Sequence, residues 1–316
     1  MKYLTNCSTD PYFNLAFDEY CLENVKSGQP YFFLWRNRPS VIVGLNQNVY
    51  SEVNLEYLDA HGITLARRVT GGGAVYHDLQ NLNYTIIGAH PSPEPFVEAL
   101  RKLGVDAQLT GRNDIFVDGR KCSGYARRVS HGQEIIHGTL MYDVDLDTLS
   151  HVLDTPFSKM NAKGIASVKS RVCNLKDHLP AMASLDELQA ALQDILSGGD
   201  QPLPPDIVPL DEVQALSDSK FSTWDFVYGR SKEAGFTRSV KLSCGTVSAD
   251  FKVEGGVLTH LVFWGDFLFD EPASGLAEKL VGHRFTPSEI SEALARAGVS
   301  RYLRGVSASD LLELFF

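Results

Sequence analysis

Three consecutive glycines, Gly71-Gly72-Gly73, follow two adjacent arginines, Arg67 and Arg68, after a two-residue spacer. Glycine has no Cβ, so backbone N–H groups in such a turn can approach a ligand closely and form a nest that binds an anion. The arginines could pair with phosphate oxygens through their planar set of donors. The segment therefore indicates either a phosphate site or a glycine-rich hairpin turn with solvated arginines, and the residues by themselves favour neither.

Two common nucleotide motifs are excluded for this glycine segment. No Gly-Lys-Ser/Thr sequence follows the glycines, as a Walker A loop requires. A strand starting at Ala74 is predicted next, whereas a dinucleotide-binding fingerprint opens a helix. Any phosphate site here must therefore be of another kind.

A lysine, Lys121, comes shortly after a second turn sequence, Asp118-Gly119. Asp-Gly fits the positive-φ positions of a type I′ turn, which predicts a hairpin of strands 114–117 and 120–126. Residues two apart on a strand share a face, so Lys121, Ser123 and Tyr125 are expected on one side.

The chemistry available to this hairpin is charge stabilisation. An ammonium held beside a reacting carboxylate and an α-phosphate would stabilise the charge that develops in the transition state. Asp114 could hold Mg²⁺, which takes only one or two protein carboxylates together with phosphates. The alternatives are a solvated lysine and an aspartate that caps a turn.

Residues 158–176 form a basic segment in an otherwise acidic chain. It contains Lys159, Lys163, Lys169, Arg171 and Lys176 and no carboxylate, although the net charge of the protein is -10. Such a segment could line a triphosphate site or face an acidic partner protein, and the alternative is a solvated loop.

Bulk composition excludes several classes. A net charge of -10 over 316 residues argues against a nucleic-acid partner. No apolar run approaches the roughly 20 residues that span a membrane. The five cysteines are dispersed without a Cys-x-x-Cys pair, so we expect a reducing, cytoplasmic location. Cys122 or Cys173 could accept an acyl group only with a lowered thiol pKa, and a core role is the alternative.

The predicted elements alternate between helices and strands. An N-cap at Asp10 with Pro11 predicts a first helix, and helices are expected at 52–60, 93–103, 146–153 and 184–196. Strands are expected at 31–35, 41–43, 63–69, 74–76, 83–87 and 135–143. Beyond residue 238, strands up to 263 and a capped helix from Thr286 predict a small, separate α+β domain.

Four segments occur in an order that resembles the lipoate–protein ligase A family. They are RRVTGGGAVYHD at 67–78, GRNDIFVDGRKCSG at 111–124, HGTLMYDVDLDTL at 137–149 and KGIASVKSRVCNL at 163–175. The match continues through FSTWDFVYG at 221–229 and a C-terminal accessory segment, so it covers nearly the whole chain.

The resemblance implies an α+β fold with two domains. Residues 1–230 would form a catalytic domain on a mixed β-sheet of the biotin/lipoyl ligase and class II aminoacyl-tRNA synthetase type, and residues 238–316 a small C-terminal α+β domain. The implied enzyme activates lipoate with MgATP to lipoyl-AMP. It then transfers the lipoyl group to a lysine of a lipoyl domain, in 2-oxoacid dehydrogenase E2 subunits or the glycine-cleavage H protein.

The resemblance also assigns site residues. Arg68 and the stretch from Gly71 through His77 (Gly71, Gly72, Gly73, Ala74, Val75, Tyr76, His77) would contact ATP, the adenylate or the acyl chain. Lys121 would be catalytic and contact both the lipoyl carboxyl group and the α-phosphate. The remaining assignments are Asn113 and Asp114 near nucleotide and metal, Ser123 and Gly124 beside Lys121, His137, Gly138 and Thr139 near the acyl pocket, and Lys163 in a loop that orders on nucleotide.

Departures from the family pattern leave acyl preference open. Leu45 replaces a common arginine, Gln80 a common glycine, and Tyr125 a smaller polar residue.

Two rival functions stay open: an ATP-independent octanoyl- or lipoyl-transferase on the same scaffold, and a non-catalytic lipoate-binding protein. A biotin–protein ligase is disfavoured because its glycine- and arginine-rich loop is patterned differently.

Overall fold

A computed structural model of the chain describes residues 1–111, 113–153, 171–231, 234–267 and 270–316. Of these, residues 1–45, 64–153 and 171–223 form one compact unit, and residues 46–63 and 224–316 form a second. No helix in the described part of the chain is both long and apolar enough to cross a bilayer.

The described strands number thirteen in chain order. They are β1 Lys2–Thr5, β2 Tyr31–Trp35, β3 Ser40–Val43, β4 Thr64–Arg67, β5 Val75–His77, β6 Asn81–Gly88, β7 Ala107–Thr110, β8 Asp114–Val117, β9 Arg120–Ser130, β10 Gln133–Met141, β11 Ala234–Leu242, β12 Gly245–Glu254 and β13 Val257–Gly265.

The described α-helices are α1 Pro11–Asn24, α2 Val49–Glu52, α3 Leu55–His61, α4 Glu94–Lys102, α5 Leu146–Val152, α6 Leu185–Ser197, α7 Leu210–Leu216, α8 Ser274–Leu280, α9 Pro287–Ala297 and α10 Ala308–Leu312. Short 3₁₀ turns lie at Leu175–His178, Pro205–Ile207 and Val299–Arg301, and π-helical turns at Ser217–Phe221 and Asp225–Gly229.

The first unit is built on a seven-stranded mixed sheet with the order β1-β2-β6-β10-β9-β8-β7. The β1–β2 pair is parallel and the other neighbours are antiparallel. Its core lies between one face of this sheet and helices α4 and α6, around residues such as Tyr84, Phe96, Ile136 and Leu188. The candidate site lies at the other face of the sheet, where α1 and a three-stranded sheet described next contribute residues to it.

A three-stranded sheet, β4-β3-β5, carries the glycine segment. Strand β3 pairs in parallel with β4 and antiparallel with β5. The segment from Arg68 to Ala74 joins β4 to β5, so the glycines connect two edge strands of this sheet. The prediction of a strand on each side of the glycines is confirmed.

The second unit contains the antiparallel sheet β11-β12-β13 with α8, α9 and α10. Phe251, Phe285 and Phe315 pack together in its core, with ring centroids 5.4 to 6.2 Å apart. The Thr286 side chain caps α9 by accepting from Glu289 N, as the capping pattern predicts. The α+β class, with a mixed sheet followed by a small α+β region, is confirmed.

Two local predictions can be compared directly with the structure. The Asp118-Gly119 turn has φ of 49° and 73° at its two residues, which confirms the hairpin. The helix expected at 52–60 is found as α3, Leu55–His61, and begins later than predicted. Val53 is extended (φ -135°), and the Asn54 side chain then caps α3 as a new helix by accepting from Tyr57 N.

Candidate active site

A cavity in the first unit brings together most of the residues that the sequence singled out. The space inside it amounts to about 650 Å³ when its open mouth is counted. Its lining residues are Leu15, Trp35, Ile42, Arg68, Gly72, Gly73, Ala74, Val75, His77, Asn83, Asn113, Lys121, Gly124, Tyr125, Ala126, His137, Gly138 and Thr139. None of these is a carboxylate, so the charged lining groups, Arg68 and Lys121, are cationic.

A few predicted site residues lie beside the cavity rather than on its wall. Gly71 borders an adjoining open cleft that shares Gly72 with the cavity. Tyr76 is buried in β5, only 6% exposed, and pairs with Val41. Lys163 lies outside the described residues.

Ser123 does not share the cavity face with Lys121. It is 1% exposed and absent from the lining, whereas Gly124 is present in it. The β8–β9 pairing shifts register between Ile115 and Phe116, and such a bulge breaks the two-residue alternation of a strand. The prediction that Lys121 and Ser123 face one way is therefore wrong.

The cavity floor follows one row across the large sheet. Trp35 pairs with Asn83, and Asn83 pairs with Thr139. The Thr139 hydroxyl accepts a hydrogen bond from Gly124 N at 3.3 Å, which extends the row to β9. Paired residues on neighbouring strands point to the same face, so this row runs beneath the cavity from β2 to β9.

Lys121 lies at the β9 end of the cavity. Its ammonium forms an ion pair with Asp114 at 2.7 Å, and its side chain is 39% exposed. A Cβ on Gly124 would lie 2.8 Å from the Lys121 Nζ atom. Only glycine at 124 therefore leaves the ammonium its present position over the cavity floor.

Arg68 holds the glycine segment instead of projecting into solvent. Its Nη2 donates to the carbonyl oxygens of Gly71 (2.7 Å) and Gly73 (2.8 Å), and its Nη1 to that of Ile42 (3.0 Å). Burial lowers the pKa of Arg68 to about 10, so it stays charged at neutral pH. Arg68 thus fixes the backbone that carries the candidate anion-binding amides.

Gly72 is required by this arrangement for two reasons. Its φ is +96°, where side chains are strained, and a Cβ there would lie 2.8 Å from Arg68 Nη2. Gly44 packs from the other side, since its Cβ would lie 2.2 Å from the Gly72 carbonyl oxygen. In contrast, a Cβ on Gly71 or Gly73 would meet nothing within 4 Å.

A buried hydrogen-bond chain connects Arg68 to α1. Arg68 Nε lies 3.1 Å from Thr70 Oγ1, which lies 2.7 Å from His137 Nε2. The His137 Nδ1 atom lies 2.6 Å from Asp18 Oδ2. A carboxylate only accepts, so Nδ1 carries the proton and, in the neutral ring, Nε2 accepts from the threonine hydroxyl.

Asp18 is the acceptor that anchors this chain. It is 1% exposed, and its second oxygen accepts from Thr85 Oγ1 at 2.7 Å. The Thr85 hydroxyl in turn accepts from Trp35 Nε1 at 3.0 Å. This series of hydrogen bonds therefore links the glycine segment, His137 in the cavity lining and Trp35 at the far end of the cavity.

His77 is a buried, neutral histidine on the cavity wall. Burial, and to a lesser degree the charges of Arg68 and His137, lower its pKa to about 3. Its ring lies edge-on to Trp35, with centroids 6.3 Å apart. At physiological pH the residue can act only as a hydrogen-bonding group.

The two cysteines near the motifs are not activated. Cys122 is fully buried, and burial next to Cys173 raises its pKa to about 12. Burial also raises the pKa of Cys173, which is 2% exposed. Neither thiol has the lowered pKa that a thioester-forming nucleophile needs.

A metal site of protein ligands alone is absent from the described residues, where no three His, Cys, Asp or Glu residues cluster. Asp114 Oδ1 is engaged by Lys121. A single carboxylate at the rim nevertheless fits Mg²⁺ that arrives with nucleotide phosphates, because Mg²⁺ keeps most of its ligands from phosphate and water.

Several lining residues were not singled out from the sequence as cavity residues. Leu15, Trp35, Ile42 and Asn83 lie on α1, β2, β3 and β6, which are far apart along the chain. Asp18, which holds His137, is on α1 as well. Trp35, Asn83 and Asp18 carried one available signal, a polar or amphipathic group within a predicted buried element.

Comparison with known proteins gives two family-model matches. Residues 10–197 match the lipoyl protein ligase A/B catalytic domain, and residues 231–315 match the bacterial lipoate protein ligase C-terminus. A lipoate–protein ligase 1 of Staphylococcus aureus is 37% identical over 326 aligned residues that cover 99% of both chains.

Two solved structures are similar to the chain. An archaeal bipartite lipoate protein ligase from Thermoplasma acidophilum is 33% identical, with a TM-score of 0.64 over 72% of this chain and 95% of that one. A lipoate-protein ligase A bound with ATP is 31% identical, with a TM-score of 0.62 over 72% of this chain and 98% of that one.

Proposed function

Since this chain belongs to the lipoate–protein ligase family, we propose that it activates lipoate with MgATP to lipoyl-AMP and transfers the lipoyl group to a lysine of a lipoyl domain. The observation that carries the proposal is the cavity in which the Lys121 ammonium and the Arg68-braced glycine segment flank an apolar slot. Such a slot suits an acyl chain whose carboxylate must meet a phosphate.

The first step joins two anions, so charge neutralisation and positioning carry it. A carboxylate oxygen of lipoate attacks the α-phosphorus of ATP, and the bond to pyrophosphate breaks. We assign to Lys121, which lines the cavity, contact with both the carboxylate and the α-phosphate. Mg²⁺ would neutralise the phosphates, and Asp114 is the carboxylate that would hold it.

The glycine segment would bind the adenylate through backbone amides. The Arg68 side chain bonds to the carbonyl oxygens of Gly71 and Gly73, which leaves the amide N–H groups of the turn available as a nest. We therefore assign Arg68 a positioning role, in which it orders the turn that contacts the nucleotide.

In the second step, the neutral amine of the acceptor lysine attacks the acyl carbonyl carbon. The carbon–oxygen bond to AMP breaks, AMP leaves, and the attacking nitrogen loses a proton. Stabilisation of the carbonyl oxygen by Lys121 would lower the barrier here also.

The ATP-independent transferase is the second candidate. A cysteine thioester route needs an accessible thiolate, and both Cys122 and Cys173 are buried with raised pKa values. Transfer from a pre-made acyl donor would leave the backbone amides of the glycine segment without a phosphate to bind.

The deciding experiment combines two readouts on the full chain. We expect lipoate-dependent exchange of pyrophosphate into ATP, and a mass increase of one lipoyl group on an apo lipoyl domain measured by intact mass spectrometry. Acyl transfer without exchange would support the transferase instead. Tight lipoate binding without either reaction would indicate a carrier, and biotin serves as the negative control substrate.

A further inference from the structure

Two buried hydrogen-bond donors border the cavity without an acceptor in the described part of the protein. They are His77 Nε2 and Asn83 Nδ2, on residues that are 3% and 1% exposed. Both residues line the cavity. Leaving a buried donor unpaired is unfavourable, and native proteins rarely tolerate it without a functional reason.

The tautomer of His77 follows from its neighbours. Asn14 Nδ2 donates to Asn37 Oδ1 at 2.8 Å, so the Asn37 amide nitrogen faces the His77 Nδ1 atom, 3.1 Å away. His77 Nδ1 must then accept, and the proton of the neutral ring is on Nε2. The free ring atom at the cavity is therefore an N–H donor.

Asn83 contributes the second donor, since its Nδ2 atom is buried without an acceptor among the described residues. Asn81 Nδ2 donates to Asn83 Oδ1 at 3.0 Å. The carboxamide oxygen of Asn83 is thus engaged, and its NH₂ group is left as a second donor. His77 and Asn83 together present only donors to the ligand.

Both donors lie away from the reacting end of the cavity. Asn83 is two strands from Gly124, above which the Lys121 ammonium lies, and strand spacing makes this roughly 10 Å. His77 packs edge-on against Trp35, which is one strand further. An acid with its carboxylate at Lys121 would therefore place the far end of its chain near these donors.

On the premise of the proposed function, we propose that His77 and Asn83 determine acyl specificity by donating to the sulfur atoms at the distal end of the acyl substrate. Divalent sulfur is a weak acceptor, whereas the methyl end of an alkyl chain accepts nothing. A straight-chain acid of similar length would bury both donors unpaired, and sites with hydrogen-bonding groups discriminate against such analogues. The enzyme thus prefers a dithiolane acid to octanoate.

The test separates the effect of the sulfur atoms on substrate preference from the effect of the shape of the ring. Lipoate, octanoate and 5-cyclopentylpentanoate, which replaces the dithiolane ring by a carbocycle, are compared by kcat/KM for pyrophosphate exchange. We expect the wild-type protein to favour lipoate over the carbocycle roughly tenfold, the effect of leaving one or two buried donors unpaired. Equal use of lipoate and the carbocycle by the wild-type protein overturns the inference.

Variants then assign the effect to residues. Asn83→Leu and His77→Phe remove the donors with little change in volume, and we expect the lipoate-to-carbocycle ratio to fall to near one. Ser40→Ala is the matched control, because Ser40 Oγ is also buried without a partner among the described residues and Ser40 pairs with His77, yet it does not line the cavity. Its ratio should equal that of the wild type.

The comparison of the three acids uses only the wild-type protein, so it tests the inference even where a variant fails to fold. A protein that activates none of the three acids would refute the proposed function, and this inference with it. A protein that activates all three equally would refute the inference and leave the proposed function intact.

Discussion

Asp18 on helix α1 and His137 on strand β10 meet through a 2.6 Å contact between Oδ2 and Nδ1, although 119 positions separate them in the sequence. The imidazole is thereby oriented so that its other nitrogen meets Thr70 at the start of the glycine segment. One hydrogen-bond chain thus couples the acyl cavity to the segment that we assign to the nucleotide.

The hydrogen bonds that connect Asp18 through His137 to Thr70 predict a positioning role for Asp18. Asp18→Asn should lower kcat/KM for adenylate formation roughly tenfold and destabilise the fold by about 1–3 kcal/mol, because the amide cannot accept from both His137 and Thr85 as the carboxylate does. Pyrophosphate exchange and urea unfolding measure the two effects. Thr85→Ser keeps the hydroxyl and serves as the control, and wild-type activity in Asp18→Asn would contradict the role.

A pair of glycine variants tests the brace between Arg68 and the turn. Gly72→Ala should cost about 2–3 kcal/mol of unfolding free energy, because its φ is +96° and the new Cβ would lie 2.8 Å from Arg68 Nη2. Gly71→Ala meets nothing within 4 Å and should stay within about 0.5 kcal/mol of wild type. Urea denaturation decides, and equal losses in the two variants would refute this reading.

Lys121→Ala should abolish adenylate formation while leaving the fold nearly intact. The ammonium is 39% exposed and paired with Asp114, and exposed ion pairs contribute at most about 1 kcal/mol to stability. Loss of a charge at the reacting atoms costs on the order of a hundredfold or more in rate. Lys102→Ala, an exposed lysine in the last turn of α4, is the control, and near-normal exchange in Lys121→Ala would remove Lys121 from the mechanism.

His77 predicts a pH dependence of stability with a definite sign. Its pKa falls from 6.5 in the unfolded chain to about 3 in the folded protein, so between these values the unfolded state binds the extra proton. The contribution of the neutral His77 ring to the free energy of unfolding is therefore complete above pH 6.5. Below that pH the free energy of unfolding declines by up to about 1.4 kcal/mol per pH unit towards pH 3. Urea unfolding between pH 7 and 4 measures this slope.

The matched variant for the pH experiment is His77→Gln, which keeps hydrogen-bonding capacity without a titrating ring. The difference in unfolding free energy between wild type and His77→Gln should change with pH in this window. A difference that is the same at pH 7 and pH 4 would show that His77 titrates normally in the folded protein.

The sequence by itself determined the family, the α+β class and the local elements with strong signals. Asp10-Pro11, Asp118-Gly119 and Thr286 each specify backbone geometry through contacts within a few residues, so their caps and turn follow from neighbouring atoms alone. The helix expected at 52–60 begins only at Leu55, because Val53 is extended and the Asn54 side chain caps the helix.

Only the tertiary structure decided which groups face the cavity. The bulge in β9 moves Ser123 off the wall, and α1, β2 and β6 bring Asp18, Trp35 and Asn83 to it from distant parts of the sequence. It also revealed that the Arg68 side chain bonds to the backbone of the glycine turn. Hydrogen-bond partners and burial depend on packing between elements, and no local pattern in the chain specifies them.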